Sequence, residues 1–377
     1  MASRVRRIAL AIHLWSALLL GAWFALLGVT GSALVFYVDI DQAINPQIRL
    51  NRVVEAPRSA DAIEQALRTA YPQRTGPWRI EMPLAPDMPV MARYYKPVER
   101  ADRHFAPLLV TMEPDTLKIT STRFWGDTLM TWVFDLHYTL LLGKTGLSLV
   151  GLVGFVIAAM LVSGMYLWWP SKARLWSAMR IIPRPGIVRR TYDLHNAGGI
   201  YTFIILLVLA LTGSVLAFPD QARAIVAPGT SLPSPKAQPH EAGAGRVSLD
   251  DAVAIAHQRF PDADVRWIET SGAGGKPVSM RLHQPFEPSF RFPQSRIWLD
   301  PVDGKVLAVS DPREASAGAG LLNWMHPLHN GEAFGLWGRW IAFVSGFVPL
   351  MLFVTGLYRW RQKVNARQRA SAAKSRM

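Results

Sequence analysis

Four histidines recur along this 377-residue chain at spacings that repeat. His13 precedes Thr30-Gly31-Ser32 and His195 precedes Thr212-Gly213-Ser214, with 18 residues from His to Gly in both. His137 precedes Gly164-Met165-Tyr166 and His329 precedes Gly356-Leu357-Tyr358, with 27 residues in both. Matches at two independent spacings mark an internal repeat. A neutral imidazole is a common metal ligand and the usual axial ligand of a non-covalent haem. The chain has no cysteine, which rules out Fe–S clusters, Cys-ligated zinc, disulfides and c-type haem attachment. Two imidazoles from separate helices, facing one another, would hold a six-coordinate, electron-transferring haem iron. A single histidine near a membrane interface reads as an amphipathic residue placed where water is available. Four at repeat-equivalent positions read as ligands, because ionisable groups inside a membrane protein are functional candidates.

The elements that carry these histidines are apolar. Half of the residues are hydrophobic and only 18% are charged, so much of the chain must hide outside a soluble core. Four stretches are long enough to cross a bilayer, which takes about 20 apolar residues: Ile8–Val38, Leu147–Trp169, Ala197–Phe218 and Leu336–Trp360. The first is too long for the core of a signal peptide and reads as a spanning helix. The formal charge of +14 does not point to nucleic acid. Met1–Arg7, Pro170–Tyr192 and Arg359–Met377 hold 3, 6 and 7 Lys/Arg and no Asp or Glu, and the remainder is close to neutral. Basic residues confined to alternate loops predict a multi-pass membrane protein with both termini and the middle loop cytoplasmic. That topology pairs His13 with His195 inside and His137 with His329 outside. Eighteen residues of helix is five turns and about 27 Å, close to the bilayer thickness. Gly31 and Gly213 are therefore expected beside the outer haem, leaving room for the edge of its macrocycle.

Between the spans, Asp61-Ala-Ile…Tyr71-Pro72 matches Asp251-Ala-Val…Phe260-Pro261, and Val110…Pro114-Asp115…Ile119 matches Ile297…Pro301-Val-Asp303-Gly304…Val306. Each reads as a short amphipathic helix ended by proline and followed by strands with a hairpin. The predicted order is helix 1 in residues 1–39, a periplasmic α+β domain in 40–125, and helix 2 with its periplasmic-edge segment in 126–170. A basic loop follows in 171–190, then helix 3 in 191–219. A second periplasmic domain with its linker occupies 220–315, followed by helix 4 in 316–360 and a basic tail in 361–377. The fold class is a mainly α membrane protein with two small α+β domains.

The combination His…Thr-Gly-Ser, Leu136-His137-x5-Gly143-x2-Gly146, Gly164-x-Tyr166-x-Trp168-Trp169-Pro170 and Leu194-His195-Asn196 resembles the PepSY-associated transmembrane proteins. Helix 4 departs from the pattern, with Arg359-Trp360-Arg361 in place of Trp-Trp-Pro. Within that family the chain is closest in kind to bacterial inner-membrane ferric-siderophore reductases. The resemblance implies PepSY-like outer domains, two haems b, and an enzyme that reduces a ferric siderophore in the periplasm and releases Fe(II). No Gly-rich dinucleotide fingerprint occurs, so the expected donor is a quinol or a separate cytoplasmic reductase. Two other classes stand beside this one: a transmembrane cytochrome b serving a periplasmic partner protein, and a haem-free PepSY peptide-binding or peptidase-regulating protein. His326 lies one turn before His329 but matches Phe134 in the repeat, so it is expected to touch a propionate or substrate rather than iron. His104, His240, His257 and His283 have no repeat partners and are expected at the surface.

Overall fold

In a computed structural model of the chain, residues 3–169, 179, 186–230, 233–237 and 245–375 are described. Most of the basic loop 171–190, Pro170, His240 and part of the linker expected at the start of 220–315, Ala227–Gly245, lie outside those residues. The chain divides into a helical unit, Met1–Phe36 with Leu136–Phe218 and Leu328–Met377, and a sheet unit, Tyr37–Asp135 with Pro219–Pro327.

Four helical segments are long and apolar enough to cross a membrane. α1 is Arg4–Val35. After α2 (Tyr37–Ile44), α3 (Ala60–Ala70) and α4 (Leu129–Thr139), the second span is α5, Gly143–Trp168. The third is α6, Ile187–Ala217, beginning ten residues before the expected start. Its first turns are polar, and Arg189 there pairs with Asp193 one turn on at 2.9 Å. Later come α7 (Pro219–Val226), α8 (Leu249–Arg259), α9 (Ala317–Asn323) and α10 (Met325–Asn330). The fourth span is split into α11 (Gly335–Ser345) and α12 (Val348–Lys374), with Pro349 opening the second piece.

Glycines mark the breaks in the helices after His137 and His329. Leu140 and Leu141 are left-handed between α4 and α5, as is Gly143. Gly331 and Gly335 play the same part between α10 and α11. Small residues let the spans approach, as they do in bilayers, where apolar surface alone drives no association. A methyl group added at Gly28 would lie 2.3 Å from the Gly346 carbonyl, and one at Gly154 would lie 2.2 Å from the Ser214 hydroxyl. Phe24, Ile157, Leu161 and Leu206 fill the space between. Outward-facing Leu19, Ile204 and Val344 leave apolar surface suited to lipid.

The sheet unit repeats one pattern twice, a serine-capped helix followed by four strands. α3 leads to β1 (Trp78–Glu81), β2 (Val90–Tyr94), β3 (Leu108–Met112) and β4 (Ile119–Phe124). α8 leads to β5 (Asp264–Glu269), β6 (Val278–His283), β7 (Ser295–Leu299) and β8 (Val306–Ser310). Both expected hairpins form, as β3–β4 and β7–β8. The expectation of two separate domains is corrected in one respect. β1 pairs antiparallel with β5, so all eight strands make one sheet, ordered β4-β3-β2-β1-β5-β6-β7-β8. One core beneath it takes Ile63 and Leu67 from α3, Ala252 and Ala256 from α8, and Ile80 and Ile268 from the two seam strands. The helices also cap each other. Asp250 accepts from the Ala60 N–H at the start of α3, and Asp61 accepts from the Leu249 and Asp250 N–H groups at the start of α8.

Candidate functional site

Within the helical unit the four repeat histidines come together as two pairs. The rings of His13 on α1 and His195 on α6 stand 6.2 Å apart, centroid to centroid, and nearly perpendicular at 85°. The rings of His137 on α4 and His329 on α10 stand 6.2 Å apart and inclined at 48°. A metal between two imidazoles, with bonds of about 2 Å to each nitrogen, places the ring centres about 6 Å apart. Both pairs meet that separation.

Hydrogen bonds fix the tautomers. The Thr30 hydroxyl gives its proton to the Leu26 carbonyl at 2.8 Å, so towards His137 Nδ1, at 3.0 Å, it can only accept. Thr212 donates to Val208 O and accepts from His329 Nδ1, at 3.1 Å, while Leu209 O also lies 3.1 Å from that nitrogen. Thr355 donates to Met351 O and accepts from His195 Nδ1 at 3.0 Å. At the fourth position the hydroxyl belongs to Ser163. It donates to Met160 O, and His13 Nδ1 donates to that same carbonyl at 3.0 Å. Every partner is an acceptor, so all four rings carry the proton on Nδ1. Nε2 keeps its lone pair, the arrangement that readies histidine for a metal.

Each hydroxyl residue is followed directly by glycine, and each glycine faces a histidine edge. A methyl group at Gly164 would lie 2.8 Å from His13 Cε1, and one at Gly31 would lie 3.0 Å from His137 Cε1. The distances are 2.9 Å for Gly213 on His329 and 3.3 Å for Gly356 on His195. This corrects the role expected of Gly31 and Gly213. They do reach the second pair, but the space they free is taken by the imidazole, because α1 and α6 run directly behind those rings. The roles of Gly164, Gly356 and the four hydroxyls were not anticipated. The signal available was a Ser/Thr-Gly step in every span.

The His13/His195 pair opens into a cavity of about 580 Å³ lined also by Phe24, Gly164, Phe203 and Gly356 and rimmed by Arg6, Arg359, Lys363 and Arg367. That volume suits a sizeable organic ligand, and the cationic rim suits its carboxylates. Among the described residues no three His, Cys, Asp or Glu side chains gather as a bare-ion site. Two imidazoles alone fit a metal whose other ligands come from a macrocycle. By these tests the residues fit a bis-histidine haem.

The remaining candidates lie elsewhere. His326, in the sheet unit, stacks on Phe292 with centroids 4.5 Å apart and planes 17° apart. His104 and His257 are exposed. His283 is not: it is 4% exposed, bonded through Nε2 to Glu287 O at 3.0 Å and stacked on Phe290. The segment after β6 folds back over it, which no local pattern announces. Arg339 donates to the Val35 carbonyl at 2.9 Å.

Residues 10–363 match the model of the PepSY-associated TM region. The chain belongs to that family. The match runs through all four spans and both halves of the sheet of this PepSY-associated protein. No curated protein matches it.

Proposed function

We propose that this chain is a haem b protein of the bacterial inner membrane that passes electrons outward to a ferric siderophore in the periplasm, releasing Fe(II). The observation that supports this most directly is the paired imidazole geometry, found twice. His13 and His195 would hold one iron and His137 and His329 the other. When bound, a bis-imidazole haem supplies one-electron Fe(III)/Fe(II) exchange with no open coordination position.

The protein's part is positional. Four Nδ1–H donors hold the rings to neighbouring carbonyl and hydroxyl oxygens, and four glycines let the imidazoles sit against helix backbone. Because His13 is 18 residues before Gly31, which touches His137, the pairs lie about 27 Å apart along α1. Two relays at that separation suit a membrane crossing. The basic residues around the His13/His195 cavity come from both ends of the chain, which supports a cytoplasmic side for that pair and a quinol or cytoplasmic reductase as donor. Reduction weakens hard-oxygen chelation because Fe(II) carries less charge, so an outward electron frees the metal.

The test begins with purified protein. A Soret band that shifts on dithionite, with two haems per chain by pyridine haemochrome, is expected. Anaerobic addition of ferric siderophore should then reoxidise the reduced protein. A colourless protein would end the redox reading and leave a peptide-binding regulator. Reoxidation by a periplasmic protein but by no ferric siderophore would leave a general cytochrome b.

A further inference from the structure

Alternate residues of the strands point away from α3 and α8, and that second face of the sheet is rich in arginine. Arg79, Arg93, Arg123, Arg281 and Arg296 all lie on it, as the cross-strand registers Arg79↔Arg93 and Arg281↔Arg296 show. Three of the five have carboxylate partners. Arg79 pairs with Glu269, Arg93 with Glu81 and Arg123 with Asp41. Arg281 and Arg296, directly opposite each other on β6 and β7, form no ion pair among the described residues. Arg296 Nε is buried without a hydrogen-bond partner.

Like charges directly across a sheet are destabilising, and partial burial makes them more so. Burial, then Arg296 and Arg79, push the Arg281 guanidinium down to about 9, and burial with Arg79 and Arg223 pushes Arg296 down to about 10. Glu269 and Glu287 oppose this only in part. Glu269 is shared with Arg79, and Glu287 is bonded to the Ser295 hydroxyl and the Gln294 N–H. Beside the pair, Trp267 has the guanidiniums of both Arg79 and Arg281 4.4 Å from its ring centre. Its edge meets Phe292, which stacks on His326.

We infer that Arg281 and Arg296, flanked by Arg79 and Trp267, form a binding site for an anionic oxygen-donor chelate of a trivalent metal. Two guanidinium forks side by side match paired oxyanions. The indole holds the Arg79 and Arg281 guanidiniums in place by cation–π contact, and the unpaired positive charge is compensated when the ligand binds. As an assignment of substrate class the inference rests on the proposed reductase function, but its test does not use electron transfer.

Full-length protein in detergent is titrated with gallium(III) citrate, an anionic and redox-inert chelate, following Trp fluorescence. The arms are gallium(III) desferrioxamine B, which is cationic, metal-free citrate and inorganic phosphate. Wild type is expected to bind gallium citrate, more weakly as salt rises. R281Q/R296Q should bind at least tenfold more weakly with an unfolding temperature equal or higher, and R296Q alone serves if the double variant does not fold. Unchanged affinity in the variants overturns the site. Phosphate or free citrate binding as tightly as gallium citrate overturns the chelate assignment, as does cationic chelate binding that the variants weaken equally. Protein without a Soret band that still binds gallium citrate through this pair would refute the electron-transfer reading and sustain the site.

Discussion

Replacing one glycine behind each histidine by alanine gives a graded test of the paired-imidazole geometry. Carbon–carbon contacts are comfortable at about 3.5 Å and beyond. The added methyl group would lie 2.8 Å from His13 Cε1 in Gly164→Ala, so the ring must retreat by about 0.7 Å. That exceeds the about 0.5 Å within which a ligand set must be held. Overpacking of this kind costs about 1–3 kcal/mol, set against about 0.5–1 kcal/mol that alanine gains over glycine within a helix. The net expectation is a loss of about 1–2 kcal/mol for Gly164→Ala, with Gly213→Ala and Gly31→Ala close behind. Gly356→Ala, with its 3.3 Å contact, should be mildest. Gly199→Ala is the control on α6 for unfolding temperature alone, because Gly199 lines the His13/His195 cavity and its methyl group would meet no side chain nearer than Leu352 Cδ2 at 3.9 Å. It should be neutral or stabilising by up to about 1 kcal/mol. Thermal unfolding reads the packing cost, and the Soret absorbance per chain reads the ligand geometry. A Gly199→Ala variant as damaged as Gly164→Ala, or Gly356→Ala as the worst of the four, would refute the steric reasoning.

Thr212→Val removes one of two acceptors from His329 Nδ1 and leaves the Leu209 carbonyl, so redox titration should show a shifted midpoint with both haems retained. His13→Ala and His137→Ala should each lower the haem-to-chain ratio by about one, because each removes a ligand from a different pair; full occupancy in the double variant would sink the ligand assignment. Burial raises the Asp135 carboxyl, whose Oδ1 accepts from Trp125 Nε1 at 2.8 Å. With the folded value above the ordinary 3.8, its contribution is fully present below 3.8 and is lost as pH rises through the folded value. Asp135→Asn, which keeps the acceptor, should flatten that decline when unfolding is followed across acid to neutral pH.

What the sequence announced was local or periodic. The spans follow from hydropathy, the breaks after Thr139 and Asn330 from nearby glycines, and the two outer hairpins from Pro-Asp and Asp-Gly steps. The pairing of histidines across separate helices was also legible, because charge asymmetry orders the loops and so sorts His13 with His195. The seam between β1 and β5 was not, since strands about 190 residues apart carry no mark of their partner. Nor was the use of the glycines. Helical spacing brings Gly31 to the level of His137, but only the crossing of α1 behind α4 decides whether ring or macrocycle takes the room. Arg281 and Arg296 read in sequence as ordinary alternate residues of strands; their lack of carboxylates emerges only when the sheet is assembled.

The reciprocal capping of α3 and α8, together with the β1–β5 seam, makes the sheet unit indifferent to covalent continuity between its halves. A cut within Ala227–Gly245 would leave two fragments, one holding three spans, α3 and β1–β4, the other α8, β5–β8 and the fourth span. Neither fragment alone keeps its seam strand paired on both edges, the aspartate that caps its first helical turn from the other half, or the whole of the common core. The nicked protein should therefore travel as one particle and part only when unfolded. Two copies of a single such half would find in each other the same ladder and the same exchanged aspartates, a self-complementary surface of the kind that closes a two-fold dimer.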